Sequence, residues 1–100
     1  MAKGTRNYES SPQKVHDSCI SSLQECGFII GENKSMSIIA YSSGRLRTWF
    51  VDIRVNIHQN KENITVEAES KAPFQLLDWG RSKSVLTKFF TNLDHRLETI

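Results

Sequence analysis

The chain has 100 residues, of which 38% are hydrophobic and 24% are charged, and its formal net charge is +2. This length fits one domain with a small core, and the composition is that of a globular chain rather than a disordered one. The net charge is too low to indicate nucleic-acid binding by bulk electrostatics, and no apolar run reaches the roughly 18 residues that a membrane span requires.

The domain organisation predicted from the sequence is simple. Residues 1–10 are polar and aperiodic, so we expect a flexible arm, and residues 11–100 are expected to form a single α+β domain. The segment after Met1 lacks the apolar core of a signal peptide. The compartment is therefore left open: the cytoplasm, or the cell envelope if a signal has been trimmed.

A first helix is predicted to begin near residue 11. Either Ser10 and Gln13 form a capping box, or Ser11 is the N-cap and Pro12 the first helical residue. Gly27 lies where a glycine typically ends a helix. The residues at three- and four-residue spacing, which predict one apolar stripe, are Val15, Cys19, Ile20, Leu23 and Cys26.

Four antiparallel strands in a meander are predicted next. They lie at residues 28–30, 36–41, 48–58 and 63–70, with turns at 32–34, 42–44 and 59–62. The third strand alternates strictly, with Trp49, Val51, Ile53, Val55 and Ile57 on its apolar face. The mostly polar residues on the other face, which also holds Phe50, predict a solvent-exposed side, where Arg54 could lie across from Glu67 or Glu69.

A closing helix is predicted from about Arg81. Its apolar face consists of Val85, Leu86, Phe89, Phe90, Leu93 and Leu97. Because the meander has one apolar face, we expect both helices to cover that same face. The order also fits a helix-grip arrangement, in which a cavity separates the long helix from the sheet, but the large facing side chains favour a filled core.

The sequence predicts no enzyme. It lacks the glycine-rich, nucleophile-elbow and zinc-protease motifs, and His16, His58 and His95 lie on different predicted elements. Cys19 and Cys26 are two helical turns apart, which favours two small core residues over a disulfide or a metal site. We therefore expect neither a cofactor nor a metal ion.

Two groups of residues are the predicted binding sites. Phe74, Leu77 and Trp79 are apolar residues in a segment, 71–80, that fits no period, so they either cap the core or form a contact surface. Arg45 and Arg47 near a hairpin tip, and Arg81 at the start of the last helix, are the basic residues placed to contact anionic groups.

Short motifs resemble a known group of proteins. Phe50-Val51-Asp52, the strand at residues 64–70, and Asp78-x-Gly80-x-Ser82-Lys83 before a helix are similar to a family of small bacterial domains of unknown function, many of them envelope-associated. Cys26-Gly27-Phe28 also resembles bacterial lipoprotein domains. This resemblance implies a bacterial source and a non-enzymatic role.

The function expected from the sequence is that of a non-catalytic binding or assembly module of a bacterial protein. Its partner would be a protein or an envelope component. The alternatives are a helix-grip carrier of a small, lipid-like apolar ligand and a weak nucleic-acid binder. A cavity between the last helix and the sheet would favour the carrier, and a continuous basic stripe through Arg45 and Arg47 would favour the nucleic-acid binder.

Overall fold

A computed structural model describes residues 2–42, 52–61, 63–71 and 81–98. Within these ranges the chain forms two helices and a five-stranded antiparallel sheet. In chain order the elements are β1 (Ala2–Tyr8), α1 (Pro12–Glu25), β2 (Phe28–Lys34), β3 (Ser37–Ser42), β4 (Asp52–Gln59), β5 (Ile64–Lys71) and α2 (Arg81–Glu98). The strand order is β1-β5-β4-β3-β2, which confirms the predicted α+β class and the meander from β2 to β5.

The prediction of four strands is wrong by one strand. Residues 2–8, expected to be part of a flexible arm, form β1 and pair with β5 from Ala2 opposite Ser70 to Tyr8 opposite Ile64. The strand has a physical reason to form, because Tyr8 is buried in the core while Lys3, Thr5 and Asn7 lie on the sheet face away from the helices. The alternation is hidden in the sequence because Tyr8 is the strand's one large apolar side chain.

The ends of α1 follow from local chemistry. The Ser11 side chain accepts a hydrogen bond of 3.2 Å from the backbone N–H of Lys14, and Pro12 is the first helical residue. Ser11 therefore holds the N-cap position, which excludes the alternative capping box that starts at Ser10. Gly27 has φ 93°, the left-handed conformation in which glycine commonly follows a helix.

Both helices contribute to a single core. They contact each other, and α1 also contacts β2 and β4 while α2 contacts β1 and β5. The fully buried strand residues Ile53, Val55 and Val66 belong to the same cluster as buried residues of both helices. At β1, an added Cβ on Gly4 would lie 2.8 Å from Phe90 Cε2, so this glycine permits the close approach of α2. None of the helices in the described ranges has the length and apolar character needed to cross a membrane.

Candidate functional site

Most of the site residues predicted from the sequence lie outside the described residues. These are Arg45, Arg47, Phe74, Leu77 and Trp79. Arg81 is the first residue of α2. The two predicted binding sites therefore stay predictions, and the candidate site below is built from other residues.

The sheet face opposite the helices consists of rows of cross-strand neighbours. Because directly paired residues point to the same face, the register defines these rows. One row runs Asp52, Tyr41, Ile29, and the next runs Lys3, Glu69, Arg54, Ile39, Glu32. Of the two predicted partners of Arg54, which are Glu67 and Glu69, the one that lies directly opposite it is Glu69. Asp52 and Arg54 are exposed, as expected for a sheet face that contacts solvent.

At one end of this face three apolar side chains lie together. Ile29 of β2 is directly opposite Tyr41 of β3, and their exposed fractions are 59% and 45%. Ile39, half-buried, lies in the next row. With Asp52, Arg54 and Glu69 these residues form what we call the outer patch, and all of its residues except Ile29 line a shallow concavity of about 340 Å³.

A β-bulge positions the aromatic ring of the outer patch. The register between β2 and β3 shifts between Ile30 and Glu32, so Gly31 is the extra residue. An added Cβ at Gly31 would lie 2.1 Å from Tyr41 Cε2, which means that the tyrosine ring lies across the glycine backbone. The missing side chain at position 31 thus lets Tyr41 lie flat along the sheet toward the β2 edge.

The charged groups of the outer patch are not neutralised by one another. Although Arg54 and Glu69 are direct cross-strand partners, no ion pair within 4.0 Å joins them in the part of the chain that the structure describes. Glu32 lies on the other side of Ile39 in the same row, and its ion pair is with Lys34 at 4.0 Å. Ile39 therefore has a carboxylate on one flank and a guanidinium on the other.

Consecutive apolar residues in β2 and β3 are a sequence feature that could have indicated this exposed apolar surface. Strands with one wet face alternate, but Phe28-Ile29-Ile30 and Ile38-Ile39 are consecutive apolar runs. Such runs place an apolar residue on each face. They predict either a strand buried on both sides or an exposed apolar patch. The structure shows an exposed patch, since Ile29 and the nearby Tyr41 of β3 are both exposed.

The space between α2 and the sheet is filled where the structure describes it. Phe89 and Leu93 are fully buried, Phe90 is 5.1 Å from Phe89 between ring centroids, and Phe90 closes against Gly4. The side chains that a helix-grip ligand would have to displace are thus packed core residues.

The chemical groups in the described ranges show no activated nucleophile. Burial raises the pKa of the Cys19 thiol to about 12, and burial together with the nearby Glu25 carboxylate raises the pKa of Cys26. Both thiols are therefore protonated near neutral pH and are poor nucleophiles. No three His, Cys, Asp or Glu side chains of the described segments are grouped so that they could hold a metal ion.

Comparison with known proteins gives a structural likeness. No protein-family model matches the sequence, and no curated protein matches it. Among solved structures, the crystal structure of TTHA0849 from Thermus thermophilus is similar over 97% of this chain and 96% of that chain, with a TM-score of 0.52 and 7% identity. At this identity the likeness concerns the fold alone. The resemblance to a family of small bacterial domains therefore stays a prediction.

Proposed function

We propose that this chain is a non-catalytic assembly module that associates with a second copy of itself through the outer patch. The observation that carries the proposal is the pairing of Ile29 with Tyr41. These are two of the three large hydrophobic side chains that are exposed in the described residues, and they are direct neighbours on the sheet face away from the helices. Clustered exposed apolar groups typically mark an interaction surface.

The charge pattern around Ile39 favours a second copy as the partner. Glu32, Ile39 and Arg54 are consecutive in one row, on β2, β3 and β4. A two-fold axis along β3 would set Ile39 against Ile39 and Glu32 of each copy against Arg54 of the other. A two-fold interface uses the same surface twice, so this one row supplies two opposite-charge contacts and a central apolar contact.

The alternatives have less support. A carrier of a small apolar ligand requires a cavity between α2 and the sheet, where the described side chains are tightly packed. A nucleic-acid binder would use Arg45 and Arg47, which lie outside the described residues. The outer face bears both signs of charge, including Glu67 and Glu69 of β5, which would repel a phosphate backbone.

Sedimentation velocity over a wide range of protein concentrations tests the proposal. We expect a concentration-dependent dimer for the unmodified chain, and a shift to monomer for Ile29→Ser and for Tyr41→Ser. Met36→Ser is the matched control, because Met36 is the third exposed large hydrophobic residue but lies at the β2–β3 turn, outside the concavity. A chain that stays monomeric at every concentration, or a dimer that Met36→Ser disrupts equally, would contradict it.

A further inference from the structure

A second surface, the groove between β1 and α2, lies at the opposite edge of the sheet from Ile29. Its volume is about 500 Å³. It is lined by Lys3, Gly4, Thr5, Arg6, Lys83, Leu86, Thr87 and Phe90. The groove and the outer patch have no residue in common, although Lys3 of the groove pairs with Glu69 of the patch.

The parts of β1 and α2 that line the groove carry positive charges only. The sequence of β1 and the first thirteen residues of α2, at positions 81–93, contain five Lys or Arg residues and no Asp or Glu. Neither Lys3 nor Lys83 has an ion-pair partner among the described residues. The side chain of Arg6 is 54% exposed, and it forms an ion pair of 4.0 Å with Asp94. On its helix side the groove thus presents Arg6 and Lys83 to solvent, and Lys3 lies on the outer face opposite Glu69.

The edge of β1 offers backbone hydrogen-bonding groups. It is outermost in the sheet and pairs with β5 along seven consecutive residues, so alternate N–H and C=O groups point away from β5. The other edge strand, β2, differs in having a bulge at Gly31, which is a feature that protects an edge from added strands. Of the two edges, β1 is the one suited to a further strand.

We propose that the groove binds an extended, acidic peptide segment of a partner protein, which pairs with β1 as a sixth strand. This proposal is independent of self-association through the outer patch. Main-chain hydrogen bonds would supply the register, and the acidic side chains at alternate positions would all point to the helix side, toward Arg6 and Lys83. Leu86 and Phe90 form the apolar floor of the groove.

The distribution of charge favours a peptide over a nucleic acid. The residues that pair with Thr5 and Lys3 are Glu67 and Glu69, so carboxylates lie on the outer face within one strand of the groove. A phosphate backbone passing over β1 would approach them, whereas a peptide strand at the edge of β1 can place its acidic side chains against the cations only. The net charge of the chain is also only +2.

Fluorescence anisotropy with three labelled peptides tests this inference. The probe is a peptide of seven residues, the length of β1, that alternates Glu with Thr or Val. One control replaces each Glu by Lys, and the other keeps the Glu residues but replaces alternate Thr or Val residues by proline, which removes backbone donors. We expect saturable binding of the Glu peptide alone. Equal binding of the proline peptide would overturn strand addition, and equal binding of the Lys peptide would overturn charge recognition.

Variants of the protein locate the site. Lys83→Glu reverses an exposed charge on the helix side of the groove, and we expect it to weaken binding of the Glu peptide about tenfold. Lys14→Glu, on the exposed side of α1, is the matched control and should leave binding unchanged. Weakening by Lys14→Glu to the same degree, no binding of the Glu peptide, or tighter binding of a labelled oligothymidylate than of the Glu peptide would each refute the proposal.

Discussion

The hydroxyl of Tyr8 donates a hydrogen bond of 2.5 Å to Oδ1 of Asp94, and it thereby ties the end of β1 to α2. Arg6 reinforces the same junction, since its guanidinium lies 5.5 Å from the centre of the Phe90 ring and 4.0 Å from the other oxygen of Asp94. The first strand and the last helix are therefore joined by a polar contact at the boundary of the core.

We expect Tyr8→Phe to lower the free energy of unfolding by about 1.5–3 kcal/mol, because it removes a partly buried hydrogen bond to a charged acceptor. Urea unfolding followed by circular dichroism measures the change. Tyr41→Phe is the matched control, since the Tyr41 hydroxyl makes no hydrogen bond with the described residues, and its effect should stay within about 0.5 kcal/mol. Equal losses for the two variants would show that the Tyr8–Asp94 contact contributes nothing specific.

Stability is expected to fall at alkaline pH. Burial raises the pKa of Cys19 to about 12 from 9.0, and burial followed by the hydrogen bond to Asp94 raises the pKa of Tyr8 above its ordinary value of 10.0. The unfolded chain releases these protons at its ordinary pKa values while the folded chain retains them. Stability is therefore fully present below about pH 9 and declines above it, by up to about 1.4 kcal/mol per pH unit for each deprotonated group.

The variants that lack these groups separate the two contributions. Urea midpoints measured from about pH 8 to about pH 11 should decline less steeply for Cys19→Ala from about pH 9 upward, and less steeply for Tyr8→Phe from about pH 10 upward. Since lysine deprotonation affects all the proteins alike, the difference from the unmodified chain isolates each group. Parallel pH profiles for all three proteins would rule out the buried thiol and phenol as the cause.

Gly31→Ala should weaken self-association with little loss of stability. Gly31 does not have a positive φ, so alanine is conformationally acceptable there, but its Cβ must displace the half-exposed Tyr41 ring. The change in the free energy of unfolding is expected to stay below about 1 kcal/mol, because the ring can move into solvent. Sedimentation velocity and urea unfolding together measure both effects. An unfolding midpoint far below that of the unmodified chain would mean that the ring is fixed by packing.

Charge reversal at Arg54 of the outer patch and at the neighbouring Glu32 tests the two-fold arrangement. Glu32→Arg and Arg54→Glu each place like charges opposite one another in a dimer, so each variant alone should dimerise about tenfold more weakly than the unmodified chain. In an equimolar mixture, every residue at position 32 can face the opposite charge at position 54 of the other variant. Mixed dimers should therefore regain much of the lost affinity.

Native mass spectrometry of the mixture measures the mixed dimers directly, since the two variants differ in mass. Glu32→Arg mixed with Lys14→Glu, a variant altered on α1, serves as the control and should show no preference for mixed dimers. A statistical distribution of species in the first mixture would mean that positions 32 and 54 do not meet across the interface.

Local chemistry explains which parts of the fold could be predicted from the sequence. The Ser11 cap, the initial Pro12 and the terminal Gly27 of α1 act on neighbouring residues, and each prediction is confirmed. The alternation of β4 is likewise a local signal, and Ile53 and Val55 are buried as expected. These features require no knowledge of what lies elsewhere in the sheet.

Features that depend on distant partners were missed. The turn predicted at residues 32–34 is part of β2, because the bulge at Gly31 realigns Glu32 and Lys34 with β3. The outer patch requires the register of two strands before Ile29 and Tyr41 can be placed side by side. The function predicted for the apolar segment 71–80 falls largely on residues outside the described ranges, so that prediction is unchanged.

The pairing of β1 with β5 sets an order of events during synthesis on the ribosome. Ala2 cannot pair until Ser70 has been synthesised, and at roughly 5–20 residues per second the synthesis of the intervening chain takes several seconds. Throughout that time β1 lacks the strand with which it pairs. Its alternating polar residues, Lys3, Thr5 and Asn7, give the waiting segment little tendency to aggregate. The composition that makes β1 look like an unstructured arm is thus also what protects the nascent chain until the sheet can be completed.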